Sequence, residues 1–245
     1  MKNFKASYPY PLAYPIKAVV NKLGRSGLVA WIYQKFGSPV NPEWLVINER
    51  ILEWPQAHGW LGQIFGQRSK NEIKILEIGH VASSLSLELA SLGYKVTAID
   101  LRDYSFTHKN LISLKGDFLE YQFKEKFNAV ISLSVIEHFG FSKRYGGEDE
   151  PENNYDILAF EKISQILTTD GHAIISVPYA RAHVPGVWYR VYTRDDIEDK
   201  LGQYFTIEEK KYYFRRDNEW TEARVEDDPE LPYDGVALFL LGKTP

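Results

Sequence analysis

Two rhythms of apolar residues run along this chain, and the change between them near residue 70 divides it. Upstream the spacing is helical. Trp44, Leu45, Ile47, Ile51 and Leu52 share one side of a helix expected over 43–54, which Pro55 should stop; Trp60, Leu61, Ile64 and Phe65 repeat the pattern over 56–67. Ahead of them Pro9, Pro11 and Pro15 fix φ and remove donors, so residues 1–16 read as extended or turn structure. Downstream, short apolar runs alternate with amphipathic stretches. Lys74–Ile78, Lys95–Ile99, Leu111–Lys115, Phe127–Leu133 and His172–Val177 read as strands, and 84–92, 156–167 and 193–201 as helices. Thr193 with Asp196 three residues on is a capping-box pattern. Phe205–Phe214 and Val236–Leu241 close the chain as two strands joined by a long polar excursion.

Strands alternating with helices lie in a mostly parallel sheet covered on both faces. The expected fold is therefore α/β, a Rossmann-like domain over 71–245 preceded by a mainly helical extension over 1–70. Ligands of such sheets bind beyond the C-terminal ends of the strands, near the switch in strand order. Glu77, Gly79, Asp100, Asp117, Ser132 and Ser134 all fall at those ends.

Composition narrows the chemistry. The 245 residues include no cysteine, which excludes a disulfide framework, a thiolate nucleophile and any Cys-held metal or cluster. It fits a reducing compartment, and a cytoplasmic location is expected. No apolar run reaches the roughly 18–20 residues of a bilayer span, and the N-terminus lacks the features of a secretory signal. A net charge of -4 offers nucleic acid no bulk attraction, so no such partner is expected. Residues 1–42 carry six Lys/Arg and no Asp/Glu, a basic arm before an acidic remainder. Residues 16–36, with Trp31, Ile32, Tyr33 and Phe36, offer a peripheral membrane face. The glycines and prolines that interrupt it favour the other reading, in which these residues cover the domain or a homodimer partner. The histidines are scattered without metal-ligand spacing, and no metal is expected.

The turn after the first strand carries the most information. Gly79 sits where that strand turns toward its helix, and a side chain there would obstruct the turn or a ligand. A ligand would meet the helix N-terminus, and Asp100 at the second strand's tip is placed to accept both hydroxyls of a ribose. Glu77, two residues before the glycine, would repel phosphates and attract an ammonium. Only one glycine of a G-x-G-x-x-G fingerprint is present, which disfavours a dinucleotide. Gly116-Asp117-Phe118 adds an acid for an exocyclic amine and an aromatic face for adenine. His80, Ser83 and Leu101 adjoin this site.

On these residues the chain resembles the class I S-adenosylmethionine-dependent methyltransferases. The resemblance runs from about Ile73 to Lys243 and rests on ILEIGHVASS with VTAID, on GDF, on FNAVISLSVIEHFG, and on EKISQILTTDGHAIISVP followed by YTRDDIE. It implies a seven-stranded sheet with an antiparallel last strand and S-adenosylmethionine as cofactor. Glu77 and Gly79 match the family's first motif, Asp100 its ribose-binding acid, and Asp117 with Phe118 its adenine-contacting pair. Val81 and Ser83 stand where glycine is usual, and Asn128 where aspartate is common.

Methyl transfer to a hydroxyl needs alignment and a base. His138, with Glu137 to orient it, is the candidate just beyond the fourth strand; the pair is common in the resembling family across different substrates, so it also reads as pocket shape. Tyr179, Arg181, His183 and Tyr192 follow the fifth strand in a segment rich in stacking and hydrogen-bonding groups, suited to a sugar, phenol or anionic acceptor. Arg144 and Tyr145 in the polar insert 141–155 reach the substrate or merely belong to a solvated loop, and His58 closes the pocket from the N-terminal side or lies on the surface. The leading expectation is an O-methyltransferase acting on a small molecule or sugar. An N-methyltransferase, a catalytically degenerate assembly subunit and an NAD-dependent sugar oxidoreductase are the alternatives.

Overall fold

The computed structural model describes residues 48–141, 154–180, 189–216, 219–222 and 235–244. The basic arm, the insert carrying Arg144 and Tyr145, and the segment carrying Arg181 and His183 lie outside the described residues. A compact unit spans Ile47–Pro245.

Its centre is one eight-stranded sheet. The strands are β1 (Lys74–Ile78), β2 (Lys95–Asp100), β3 (Leu111–Lys115), β4 (Phe127–Leu133), β5 (Leu167–Tyr179), β6 (Phe205–Arg216), β7 (Glu219–Glu222) and β8 (Gly235–Lys243), in the spatial order β3-β2-β1-β4-β5-β8-β6-β7. Pairing is parallel from β3 through β5, and β8 is antiparallel to both β5 and β6. The chain moves outward from β1 to β3 and returns to β4 on the other side of β1, so the switch in strand order falls between β1 and β4. The eighth strand departs from the expected seven. β7 folds back on β6 as a hairpin, pairing Tyr213 with Glu222 and Arg216 with Glu219. Four residues with a charge at each end carry too little alternation to announce a strand; Trp220, with the Arg215 guanidinium 5.7 Å from its ring centre, packs it down.

Among the described residues four helices flank the sheet: α1 (Arg50–Phe65), α2 (Leu85–Ser91), α3 (Tyr155–Ile166) and α4 (Arg194–Gly202). Strand residues alternate between two cores. Leu76, Val130 and Ile175 join Phe160, Ile163, Ile197 and Leu201 of α3 and α4, whereas Ile75, Ile131 and Ile174 join Trp60, Leu61 and Phe65 of α1 and Leu85 and Leu89 of α2. The apolar runs of β1 and β4 are continuous because both faces are covered. Thr193 caps α4 as expected, its side chain accepting from the Asp196 amide.

One expectation needs correction. Pro55 lies inside α1 instead of ending it. A helix-interior proline costs about 3 kcal/mol in a lost ladder bond and crowding; burial of Trp60, Leu61 and Phe65, at roughly 1.5–3 kcal/mol for a fully buried large apolar side chain, outweighs it. For the same reason α1 belongs to the sheet's own core.

Candidate functional site

The strand order brings the tips of β1, β2 and β4 together, and the turn after β1 lies at their centre. Gly79 adopts φ 79°, ψ 39°, a left-handed conformation open chiefly to glycine. A Cβ there would sit 2.4 Å from Val135 Cγ2, so the turn is also pressed against the segment leaving β4. His80–Ala82 then form a short 3-10 turn and Ser83 is extended, at φ −128°. Glycine is thus required at 79 alone, which explains how Val81 and Ser83 are tolerated.

Polar groups close this end of the site. Glu77 is buried and accepts from Ser86 Oγ of α2. Burial pushes its carboxyl above the ordinary value, against the bonds from Ser86 and Ser83. Asp100 accepts the Val81 amide at 3.0 Å and the Arg102 amide at 3.0 Å. The Arg102 guanidinium adds a fork, Nε to Oδ1 and Nη2 to Oδ2, both 2.9 Å. Burial would raise the Asp100 carboxyl, but the Arg102 and Val81 bonds prevail and hold it below the ordinary range. The Gly116 amide donates to the Asp100 carbonyl at 2.9 Å, which sets Asp117, exposed, beside the same strand end. Leu101 is partly exposed there.

Two side chains expected to face a cofactor are engaged elsewhere. His80 is fully buried, with Nε2 2.8 Å from Ser113 Oγ and its ring edge-on to Tyr104 at 4.6 Å; burial holds the imidazole below its ordinary pKa. Phe118 is buried against Phe123 and Phe139 with the Lys162 ammonium 5.5 Å from its ring centre, so the face assigned to adenine is taken by the core.

At the tips of β4 and β5 the arrangement differs. Ser134 has a positive φ of 52°, unusual for a residue with a side chain. Its amide donates to Ser176 Oγ at 2.9 Å, and both hydroxyls donate to Glu53 Oε1 of α1 at 2.5 Å. Arg50 Nη1 bonds Glu53 Oε2 at 3.2 Å and the Leu133 carbonyl at 3.0 Å. Burial raises the Glu53 carboxyl against the Arg50 charge. Glu137 is buried with Oε2 unbonded among the described residues, and burial, reinforced by the Glu53 charge, raises it well above the ordinary range. His138 lies beside it, Nε2 to Glu137 Oε1 at 3.8 Å, partly exposed and edge-on to Tyr189. Ser132 is fully buried inside β4.

The expected acceptor residues scatter. Tyr179 is fully buried against Tyr212 and Phe214, and Tyr192 is buried with its hydroxyl on Asp156 Oδ2 at 3.1 Å; both rings are core, which corrects their assignment to substrate. His58 bonds Glu88 Oε2 at 2.9 Å and so ties α1 to α2. Among the described residues no group of three or more His, Asp or Glu is arranged to hold a metal.

The fold is that of the class I methyltransferases. The 1,6-didemethyltoxoflavin-N1-methyltransferase of Burkholderia thailandensis, solved with its substrate and S-adenosylhomocysteine, superposes with a TM-score of 0.57 at 13% identity, over 100% of this chain and 94% of its own. Magnesium protoporphyrin IX methyltransferase of Synechocystis PCC 6803, solved with S-adenosylmethionine, gives 0.54 at 12% identity over 93% and 96%. The N-methyltransferase NodS of Bradyrhizobium japonicum, with S-adenosylhomocysteine, gives 0.50 at 15% over 78% and 87%. No family model and no curated protein matches the sequence. In this methyltransferase fold the added β6–β7 hairpin lies at the sheet edge away from the β1–β4 switch.

Arg50, Glu53, Ser176 and Arg102 escaped the sequence reading. For Glu53 a signal existed: it shares helical spacing with Ala57, Trp60 and Leu61, so a charge stands in the buried stripe. Arg102 is two residues from Asp100 and was legible as a local ion pair.

Proposed function

We propose that this chain is an S-adenosylmethionine-dependent methyltransferase that methylates a hydroxyl of a small-molecule or sugar-like acceptor. One observation carries the reading: Glu77 and Gly79 at the end of β1 stand beside the β1–β4 switch, with Asp100 at the end of the neighbouring β2 and Asp117 just past β3, and Gly79 is demanded by both φ and its contact with Val135. The residues fit the cofactor. Gly79 makes the left-handed turn packed against Val135, Glu77 would supply a carboxylate for an ammonium, and Asp100 acceptors for a ribose. When bound, the cofactor supplies an electrophilic methyl on a sulfonium.

The chain's own residues then act on the acceptor. His138, beyond the tip of β4 with Glu137 beside it, would take the proton from the acceptor hydroxyl. Arg190, whose amide donates to the Glu137 carbonyl at 2.9 Å, holds the His138 segment in place. Alignment of the acceptor supplies the rest.

Calorimetry of the full chain with S-adenosylmethionine, S-adenosylhomocysteine and NAD tests the site. Micromolar binding of the first two, lost in Asp100→Ala, is the expected result; selective NAD binding, or none by folded protein, rejects it. With an accepted hydroxyl substrate, His138→Ala should lower kcat by about 10²–10⁴ and remove the acidic limb of the pH profile. An amine that arrives neutral needs no base, so an unchanged rate in His138→Ala would favour nitrogen methylation instead. A non-catalytic subunit is the second reading, favoured by the four donors already on Asp100.

A further inference from the structure

We propose that Arg102 competes with the cofactor's ribose, its guanidinium occupying the two Asp100 lone pairs that a vicinal diol would claim and leaving them when an adenosine-type ligand binds. The inference rests on the methyltransferase reading above.

A carboxylate offers about four acceptor directions. In Asp100 all four are filled: Oδ1 by the Arg102 amide and Nε, Oδ2 by the Val81 amide and Arg102 Nη2. These donors differ in how readily they leave. The Val81 amide belongs to the turn after β1, which is pinned by the Gly79 amide on the Ile99 carbonyl at 2.8 Å. The Arg102 amide is backbone two residues past the strand end, beside the Gly116–Asp100 bond. The guanidinium alone stands on a flexible stem, with its side chain 40% exposed against 5% for Asp100. It can rotate into solvent while the amides stay.

Fork and diol are rival ligands for one seat. Each presents two donors to two oxygens of one carboxylate, and the fork carries charge, so its bonds are the stronger. A ribose therefore gains entry only when contacts elsewhere on the ligand compensate for displacing the arginine. The amides keep the acid oriented throughout. Arg102 thus lowers the affinity for any ligand that engages Asp100 through both hydroxyls and lowers it less for one with a single hydroxyl.

The test is calorimetric titration of the full chain and of Arg102→Gln and Arg102→Lys with S-adenosylhomocysteine and its 2′-deoxy analogue. Arg102→Gln should bind S-adenosylhomocysteine about tenfold tighter than the parent, with Arg102→Lys in between, because lysine keeps the charge without the fork. The 2′-deoxy analogue should gain less, on the order of threefold. Raising salt from about 0.05 to 0.5 M should narrow the gap between parent and Arg102→Gln, since screening weakens the exposed partner. Equal or weaker binding by both variants, with the parent binding normally, overturns the inference and leaves the methyltransferase reading intact. No binding by the parent, with the variants also silent and all three folded by thermal unfolding, removes that reading and the inference with it. Thermal unfolding of the two variants separates loss of the seat from loss of the fold.

Discussion

The two ends of the candidate site are built in opposite ways. At the tips of β1 and β2 the groups are local in sequence and saturated: Asp100 has four donors, Glu77 has Ser86, and Gly79 fits one conformation. At the tips of β4 and β5 the groups come from far apart. Glu53 of α1 meets Ser134 and Ser176 across separations of 81 and 123 residues, and Glu137 keeps an oxygen unbonded among the described residues. One cation, Arg50, acts on Glu53, Glu77 and Glu137 together. A saturated end suits a ligand of fixed shape.

The sharpest way to break the contrast is at its hinge. Gly79→Ala places a Cβ 2.4 Å from Val135 Cγ2 in a left-handed backbone, so about 3 kcal/mol of stability and all detectable cofactor binding should be lost. Urea unfolding and calorimetry read both effects. Adding Val135→Ala should recover part of the stability, since it removes the clash and leaves the φ strain. If Gly79→Ala binds and folds normally, the turn is not what organises this end.

Glu53 tests the other end. Glu53→Ala strands two hydroxyls and Arg50 and should cost about 3 kcal/mol, whereas Glu53→Gln keeps an acceptor and should cost about 1 kcal/mol. Equal losses for the two substitutions would make Glu53 a matter of volume alone.

The raised carboxyls also predict a pH signature. A carboxyl raised in the native state keeps its proton after the unfolded chain has lost it. Its contribution to stability is full below the ordinary value of 4.5 and is lost as pH rises through the folded value. Glu137→Gln, which cannot ionise, should therefore flatten the decline in urea midpoint from mildly acidic to neutral pH. An unchanged slope would show that Glu137 does not titrate in that window.

The smallest effect belongs to the saturated end. Ser86→Ala removes one donor from Glu77, about 1 kcal/mol, and should move the Glu77 titration further upward as followed by NMR. A loss as large as that of Glu53→Ala would erase the contrast between the two ends.

How much of this was legible follows the same division. The order of strands and helices, the turn at Gly79, and the acids at Glu77, Asp100 and Asp117 could be read directly, because each depends on residues within a few positions of one another and on a period of two or 3.6. The helix through Pro55 could not, because its stability comes from Trp60, Leu61 and Phe65 packing on strands that follow later in the chain. Tyr179 and Tyr192 looked like substrate contacts since sequence shows an aromatic near a strand end but not which way its ring turns; packing against Tyr212, Phe214 and Asp156 decided it. β7 exists only because β6 offers it an edge.

By itself, then, the sequence determined the α/β alternation, the sheet's ligand-binding end and the local chemistry of the first turn. Those features rest on backbone conformation and side-chain periodicity, which are short-range. Tertiary structure alone decided that α1 brings Arg50 and Glu53 to the tips of β4 and β5, and that the faces of His80 and Phe118 are consumed by the core. Each of these depends on which surfaces meet when apolar area is buried, and that is settled by the whole sheet and its two cores, beyond the reach of any local pattern.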